Sequence, residues 1–332
     1  MPDLHSHHIE NDLKPPPHPG LGLVRATEAA ALVAGRWMGR GDAKSCDLEA
    51  QHAMAEALNL LPMKGKIVCG EESRLHAELR MDSGSDVGTG TGPELDVEVN
   101  AIDGAKLVAA GKTGALSVAA FAPPGALWNL APAAYMERVV VDREVADALG
   151  PEAMDAPPAW MLALVARKKG KDIRDLVVWV LDRPRHQELI ESIRKAGARV
   201  YLASGGDVCG GLLAADARCA VDLMAGVGGA AEGLITACAV KALGGGMLGR
   251  IAPQSEQEMQ ECLAAGIDLK RTYTCVDMVQ GDEVYFSATG ITDSALLHGV
   301  QYHGDTVETQ SLVLRYETGT RRLIQTEHRL VR

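Results

Sequence analysis

Arg183-Pro184-Arg185 directly follows the apolar run from Leu176 to Leu181. A buried strand ending in two guanidinium groups would put planar, doubly hydrogen-bonding cations at the carboxyl edge of a sheet, where open α/β folds take ligands. Such a pair grips phosphate or carboxylate, and His186 stands beside it. The plainer reading is a polar strand-to-helix turn with a capping role. Carboxylates occupy comparable positions: Asp47 precedes a helical run, Glu71 follows the short strand Lys66 to Cys69, and Glu232 opens another helix. Each is of the ligand type that hard divalent cations prefer. Each also has an ordinary explanation, Asp47 as an N-cap and Glu71 as a solvated loop residue.

Other patterns compete. Gly226-Val227-Gly228-Gly229-Ala230-Ala231 fits G-x-G-x-x-A between a strand and a helix, the phosphate-cradling turn of dinucleotide folds. No acidic strand end follows at the required spacing, and Glu232 would repel a pyrophosphate. Gly88-Thr89-Gly90-Thr91-Gly92 lacks the Lys-Ser/Thr ending of a P-loop and reads as a loop. His52 lies in an amphipathic helix and reads as a packing or surface residue, whereas His76, in a polar loop, could act as a base or a metal ligand.

These side chains must be carried by a sizeable scaffold. The chain has 332 residues, 47% of them hydrophobic and only 4% aromatic, rich in Ala, Gly, Val and Leu, as where helices pack closely on strands. A net charge of −11 disfavours nucleic acid and anionic membranes as main partners, so an anionic substrate needs a local cation. Seven cysteines without a CxxC pair cannot all pair within one chain and point to reduced thiols, and with no apolar run of about 18 residues a cytoplasmic location is the default expectation.

Residues 1–21, with His5, His7, His8, His18 and three prolines, read as a flexible arm. Helices are expected over Val24 to Met38 and from Asp47 to about Leu60, then strands at Lys66 to Cys69, Asp96 to Val99, Ala115 to Ala122 and Arg138 to Val141. From Leu176, strands (176–181, 198–203, 220–224) alternate with helices (185–196, 208–213, 231–243), which predicts βαβ units on a parallel sheet. A helix over 255–265 and strands near 284–286, 311–315 and 322–324 complete the chain. The expected organisation is a lobe over 22–150, a parallel α/β lobe over 151–250, and a closing segment over 251–332.

Several ordered segments together resemble the class II fructose-1,6-bisphosphatase family, including its members that also hydrolyse sedoheptulose-1,7-bisphosphate. They are Trp37 to Asp42 with Asp47, Ile67 to Glu71, Ala131-Pro132 with Tyr135-Met136-Glu137, Asp182 to His186, Gly206-Asp207-Val208, Gly226 to Gly229 with Glu232-Gly233, and Phe286 to Thr292. The resemblance implies the lithium-sensitive phosphatase fold, a layered α/β/α/β/α sandwich. It implies Mg²⁺ or Mn²⁺ as cofactor, a phosphorylated sugar as substrate, and a homodimer or homotetramer. Carried over by motif, the metal-binding positions are Asp47, Glu71, Asn100, Asp103 and Glu232. Gly104, Tyr135, Arg183, Arg185, Asp207 and Gly229 would contact the substrate, with Asp103 and His76 as the catalytic candidates.

The chain departs from the family pattern where the chemistry takes place. The family reads Asp-Pro-Ile-Glu/Asp-Gly-Thr where this chain has Asn100-Ala101-Ile102-Asp103-Gly104-Ala105. Asn100 offers a neutral amide oxygen in place of an anion, Ala105 lacks the hydroxyl that helps hold the attacking water, and Leu75 stands where the family has a cooperating Asp. Gly205 replaces the first Asp of a sugar-binding Asp-Gly-Asp, and Ala43 replaces a Lys. The expectation is a phosphosugar-binding homologue with weak or absent hydrolysis. The alternatives are an active bisphosphatase and an enzyme with changed chemistry on a phosphorylated sugar or cyclitol.

Overall fold

A computed structural model of the chain describes residues 19–70 and 81–329. Glu71, Leu75, His76 and most of the N-terminal arm lie outside the described residues. Two antiparallel helices open the fold, α1 (Pro19–Gly35) and α2 (Ala43–Asn59). On α1 the buried residues Leu23, Ala26, Ala30, Ala31 and Ala34 recur at helical spacing, and their small side chains let the helix lie close on the sheet below. The N-cap of α2 is Asp42, whose Oδ1 accepts the Ser45 amide at 3.0 Å. This corrects the reading of Asp47 as the cap, since Asp47 lies in the second turn of the helix.

Strands β1 (Lys64–Cys69), β2 (Asp86–Val87), β3 (Glu94–Asp103) and β4 (Leu116–Ala122) begin an eight-stranded sheet, with the short helix α3 (Ala105–Ala109) between the last two. The sheet is completed by β11 (Tyr285–Gly290), β12 (Gln301–His303), β13 (Thr306–Arg315) and β14 (Thr320–Arg329). The second sheet holds β5 (Tyr135–Val141), β6 (Val177–Leu181), β7 (Arg199–Ala203), β8 (Leu223–Gly229), β9 (Gly246–Ile251) and β10 (Tyr273–Thr274), in the order β10-β9-β5-β8-β6-β7. Its helices are α4 (Pro158–Lys169), α5 (Gln187–Lys195), α6 (Asp207–Ala215), α7 (Ala230–Leu243), α8 (Glu256–Ala264) and α9 (Cys275–Met278).

Three hydrophobic clusters define the layers. One joins α1 and α2 to the outer face of the first sheet. A second fills the space between the sheets, where α6 and α7 lie. The third packs α4 and α5 on the far face of the second sheet. Residue alternation makes this possible: on β4, Leu116, Val118, Ala120 and Ala122 face the middle cluster while Ala119 and Phe121 face α1 and α2. The result is the expected α/β/α/β/α sandwich.

The three strands expected to alternate with helices, β6, β7 and β8, do run parallel, but the sheet they belong to is mixed. Strand β6 runs parallel to β7 and β8, but β5 lies antiparallel to both β8 and β9. Hydrophobic periodicity carries no information on strand direction. A second correction concerns the strand expected over 220–224, which runs instead over Leu223–Gly229 and takes in the glycines read as a turn. Among the described residues, no helix is long and apolar enough to cross a membrane.

Candidate active site

A cavity of about 670 Å³ opens between the sheets, lined by Asp47 and Gln51 of α2, by Val68, Cys69 and Gly70 at the end of β1, by Asn100 of β3, by Asn129 to Ala134, and by Ala231 and Glu232 of α7. The Ala131–Pro132 peptide in this wall is cis. Of the sequence-derived metal positions, the structure brings Asp47, Asn100 and Glu232 onto one cavity. Gln51, one helical turn after Asp47, donates its amide to Asp47 Oδ2 at 3.0 Å and fixes that carboxylate. Burial pushes the Asp47 carboxyl up to about 6, with the Gln51 hydrogen bond opposing.

Local irregularity in β3 sets up the next pair. Asn100 pairs with Val118 and Asp103 with Leu116, so three steps on β3 match two on β4, and the register shifts between them. Such a bulge resets the inside-outside alternation. Ala101 and Ile102 both join the α1 and α2 cluster, and Asp103 returns to the side of Asn100, between the sheets. There Asp103 is buried and accepts the amides of Asp207, Val208 and Cys209 at 2.9–3.1 Å, closing the N-terminus of α6. Burial, and then the charge of Asp207, push its carboxyl up to about 8 against the pull of those amides. Gly104 begins α3 in the left-handed region (φ 100°), where a Cβ would also stand 3.0 Å from Leu107.

Asp207 in turn is paired with a side chain that sequence reading did not single out. Arg138, fully buried on β5, donates an Nη2 hydrogen to Asp207 Oδ2. Among the described residues the Arg138 Nε and Nη1 atoms and Asp207 Oδ1 find no further hydrogen-bond partner. One positive charge therefore faces two buried carboxylates, Asp207 directly and Asp103 through it. The available signal was a charged residue inside the strand run Arg138-Val139-Val140-Val141. Glycine is needed at 228 because a Cβ there would collide with both Arg138 and Asp207.

The same close approach accounts for the G-x-G-x-x-A stretch without a nucleotide. Buried His186 accepts the Val227 amide on Nε2 at 2.8 Å, which leaves Nδ1–H to donate to the Leu181 carbonyl at 2.8 Å, so the ring is held neutral; burial lowers its pKa. Arg185 donates to the Val227 carbonyl at 2.8 Å and lies over the Tyr135 ring, 5.5 Å from its centroid. Arg183 donates to the Asp182 and Ser204 carbonyls at 2.9 and 3.0 Å. Arg185 is exposed and Arg183 half-buried, and Tyr135 follows directly on the cavity wall. Gly229 is the N-cap of α7, and a Cβ on it would collide with the Glu232 carboxylate, which folds back over the helix start.

Asp47 and Glu232 suit a hard divalent ion, with Asn100 a neutral third oxygen. Among the described residues, however, no three His, Cys, Asp or Glu side chains converge as an ion cage. Asp103 is turned to the α6 amides, and Glu71 and His76 lie outside the described residues.

Residues 19–328 match the family described as bacterial fructose-1,6-bisphosphatase, glpX-encoded. The chain is 36% identical over 334 residues to the D-fructose 1,6-bisphosphatase class 2/sedoheptulose 1,7-bisphosphatase of Synechococcus sp. (strain JA-2-3B'a(2-13)), a span covering 93% of this chain and 95% of that protein. It is 37% identical over 319 residues to the fructose-1,6-bisphosphatase class 2 of Haemophilus influenzae (strain Rd), covering 92% and 94%.

Proposed function

The chain belongs to the family of glpX-encoded bacterial fructose-1,6-bisphosphatases, and on that premise we propose that it binds a sugar bisphosphate at this cavity while hydrolysing its phosphate ester only weakly. The observation that carries the reading is Asn100, which shares the cavity with Asp47 and Glu232 and brings no charge to it. A Mg²⁺ or Mn²⁺ ion, when bound, supplies positive charge to the phosphoryl group and acidifies a water. The chain's own residues hold and orient the ligand. Arg183 and Arg185 offer guanidinium hydrogens at the carboxyl end of β6, Tyr135 stands against the sugar, and Gly104 and Gly229 contribute backbone groups to the ligand. Asp103, by accepting the α6 amides, orders the first turn of that helix, and Asp207 within that turn is buried against Arg138. A water would have neither the hydroxyl missing at Ala105 nor the carboxylate missing at Leu75 to hold it in line.

A second reading, a working fructose-1,6-/sedoheptulose-1,7-bisphosphatase, is favoured by the near full-length similarity to relatives that bear those names. Fructose-1,6-bisphosphate should raise the melting temperature of the purified chain in the presence of Mn²⁺. The combined variant Asn100→Asp, Leu75→Asp and Ala105→Thr should then release phosphate much faster than the wild type, each restored group returning a factor on the order of 10² to 10⁴. Thermal protection without any gain in rate would point to changed chemistry, and absence of protection would remove the binding claim.

A further inference from the structure

At the far ends of α6 and α7 lies a second polar cavity, of about 220 Å³, whose walls carry three arginines, Arg143, Arg218 and Arg321, and one acid, Asp216. The arginines come from separate parts of the chain. Arg143 follows β5, Arg218 follows the C-cap of α6, and Arg321 lies on β14 beside the turn at Gly319. Helices of nine and 14 residues separate this place from the candidate active site by about 14 and 21 Å along their axes.

Only part of this positive charge is used by the fold. Asp216 is buried, and Arg218 holds it through Nε and Nη2, both at 2.8 Å. That pair is complete on its own. Arg321 Nε stands farther off, 3.6 Å from Asp216, and forms no hydrogen bond among the described residues. Arg143 is exposed and has no acidic partner among the described residues. The C-termini of α6 and α7 contribute roughly half a unit of negative charge each. After those ends and Asp216 are set against the arginines, about one positive charge and most of two guanidinium forks remain, facing a half-open cavity.

We propose that Arg143, Arg218 and Arg321 form a binding site for a phosphate group, carried either by inorganic phosphate or by a small phosphomonoester. Guanidinium forks match phosphate oxygens in pairs. A water fills about 30 Å³ of liquid, so the cavity has room for a phosphate and its nearest waters. An occupant would touch the C-terminal ends of the two helices whose other ends meet Asp103 and carry Glu232.

The test uses the full chain with Arg183→Gln and Arg185→Gln, which removes the other arginine pair able to take phosphate. Calorimetric titration of this protein with inorganic phosphate should show one saturable site. Adding Arg143→Gln should weaken it about tenfold or more, the loss of one or two charge-assisted hydrogen bonds, and Arg321→Gln should act likewise. Arg143→Gln should not alter the melting temperature without phosphate, because that side chain has no partner to lose. Glycerol 2-phosphate is the second arm: if it binds at the same arginine-dependent site the group can come from a phosphomonoester, and if inorganic phosphate alone binds the occupant is the free ion. No saturable binding, or binding that both substitutions leave unchanged, overturns the proposal.

Discussion

Arg138 is fully buried and supplies the positive charge that faces Asp207 between the sheets. Arg138→Met would leave the Asp207 carboxylate between the sheets without its counter-charge, and breaking a buried pair from one side costs about 3–5 kcal/mol. Urea unfolding should register a loss of that size. His186 gives a pH signature. Its folded pKa is lowered by burial, so the unfolded state binds more protons below the ordinary histidine range near 6.5. The stability that it contributes is fully present above about 6.5 and is lost as pH falls through the folded value. The melting-temperature difference between wild type and His186→Leu should therefore be largest near pH 7.5 and should shrink toward pH 5. A constant difference would contradict the neutral, doubly bonded ring.

Among the elements, the bulge in β3 and the start of α6 act as one unit, because Asp103 reaches the α6 amides only where the bulge turns it inward. Asp103→Ala should cost about 2 kcal/mol, a cap lost together with buried amides left unbonded. Gly229→Ala should behave differently: a new Cβ displaces the flexible Glu232 carboxylate, so stability should change little while Mn²⁺ protection in thermal melts falls. Most elements were legible from the sequence because apolar periodicity and turn residues mark them. Asp47 looked like a cap because it precedes an apolar-periodic run, yet Asp42, with Ser45 three residues on, is an equally good start signal and wins. The strand through Gly226 to Gly229 was hidden because its glycines answer to Arg138, Asp207 and Glu232, contacts that appear only in three dimensions. Arg138 itself stayed unseen for the same reason, since its partner comes from a distant part of the chain.

Over the whole molecule, the outer helix pair, the first sheet and the middle helix layer converge on one cavity. The layering was legible from the ordered motifs, whereas the antiparallel placement of β5 was not, because a strand's residues do not state its direction. That placement decides the site: β5 sits between β8 and β9 and brings Tyr135 and Arg138 to the base of α7, beside Glu232. The cavity so formed, which the proposed function assigns to a phosphorylated sugar, has the neutral Asn100 in its wall beside Asp47 and Glu232. The most direct test is the turnover of fructose-1,6-bisphosphate by the purified full-length chain with saturating Mn²⁺ or Mg²⁺, followed as released phosphate. A rate several orders of magnitude below the ordinary enzyme range of about 1 to 10³ per second agrees with a site that binds but scarcely hydrolyses. Turnover within that range would contradict it and make the chain a working bisphosphatase.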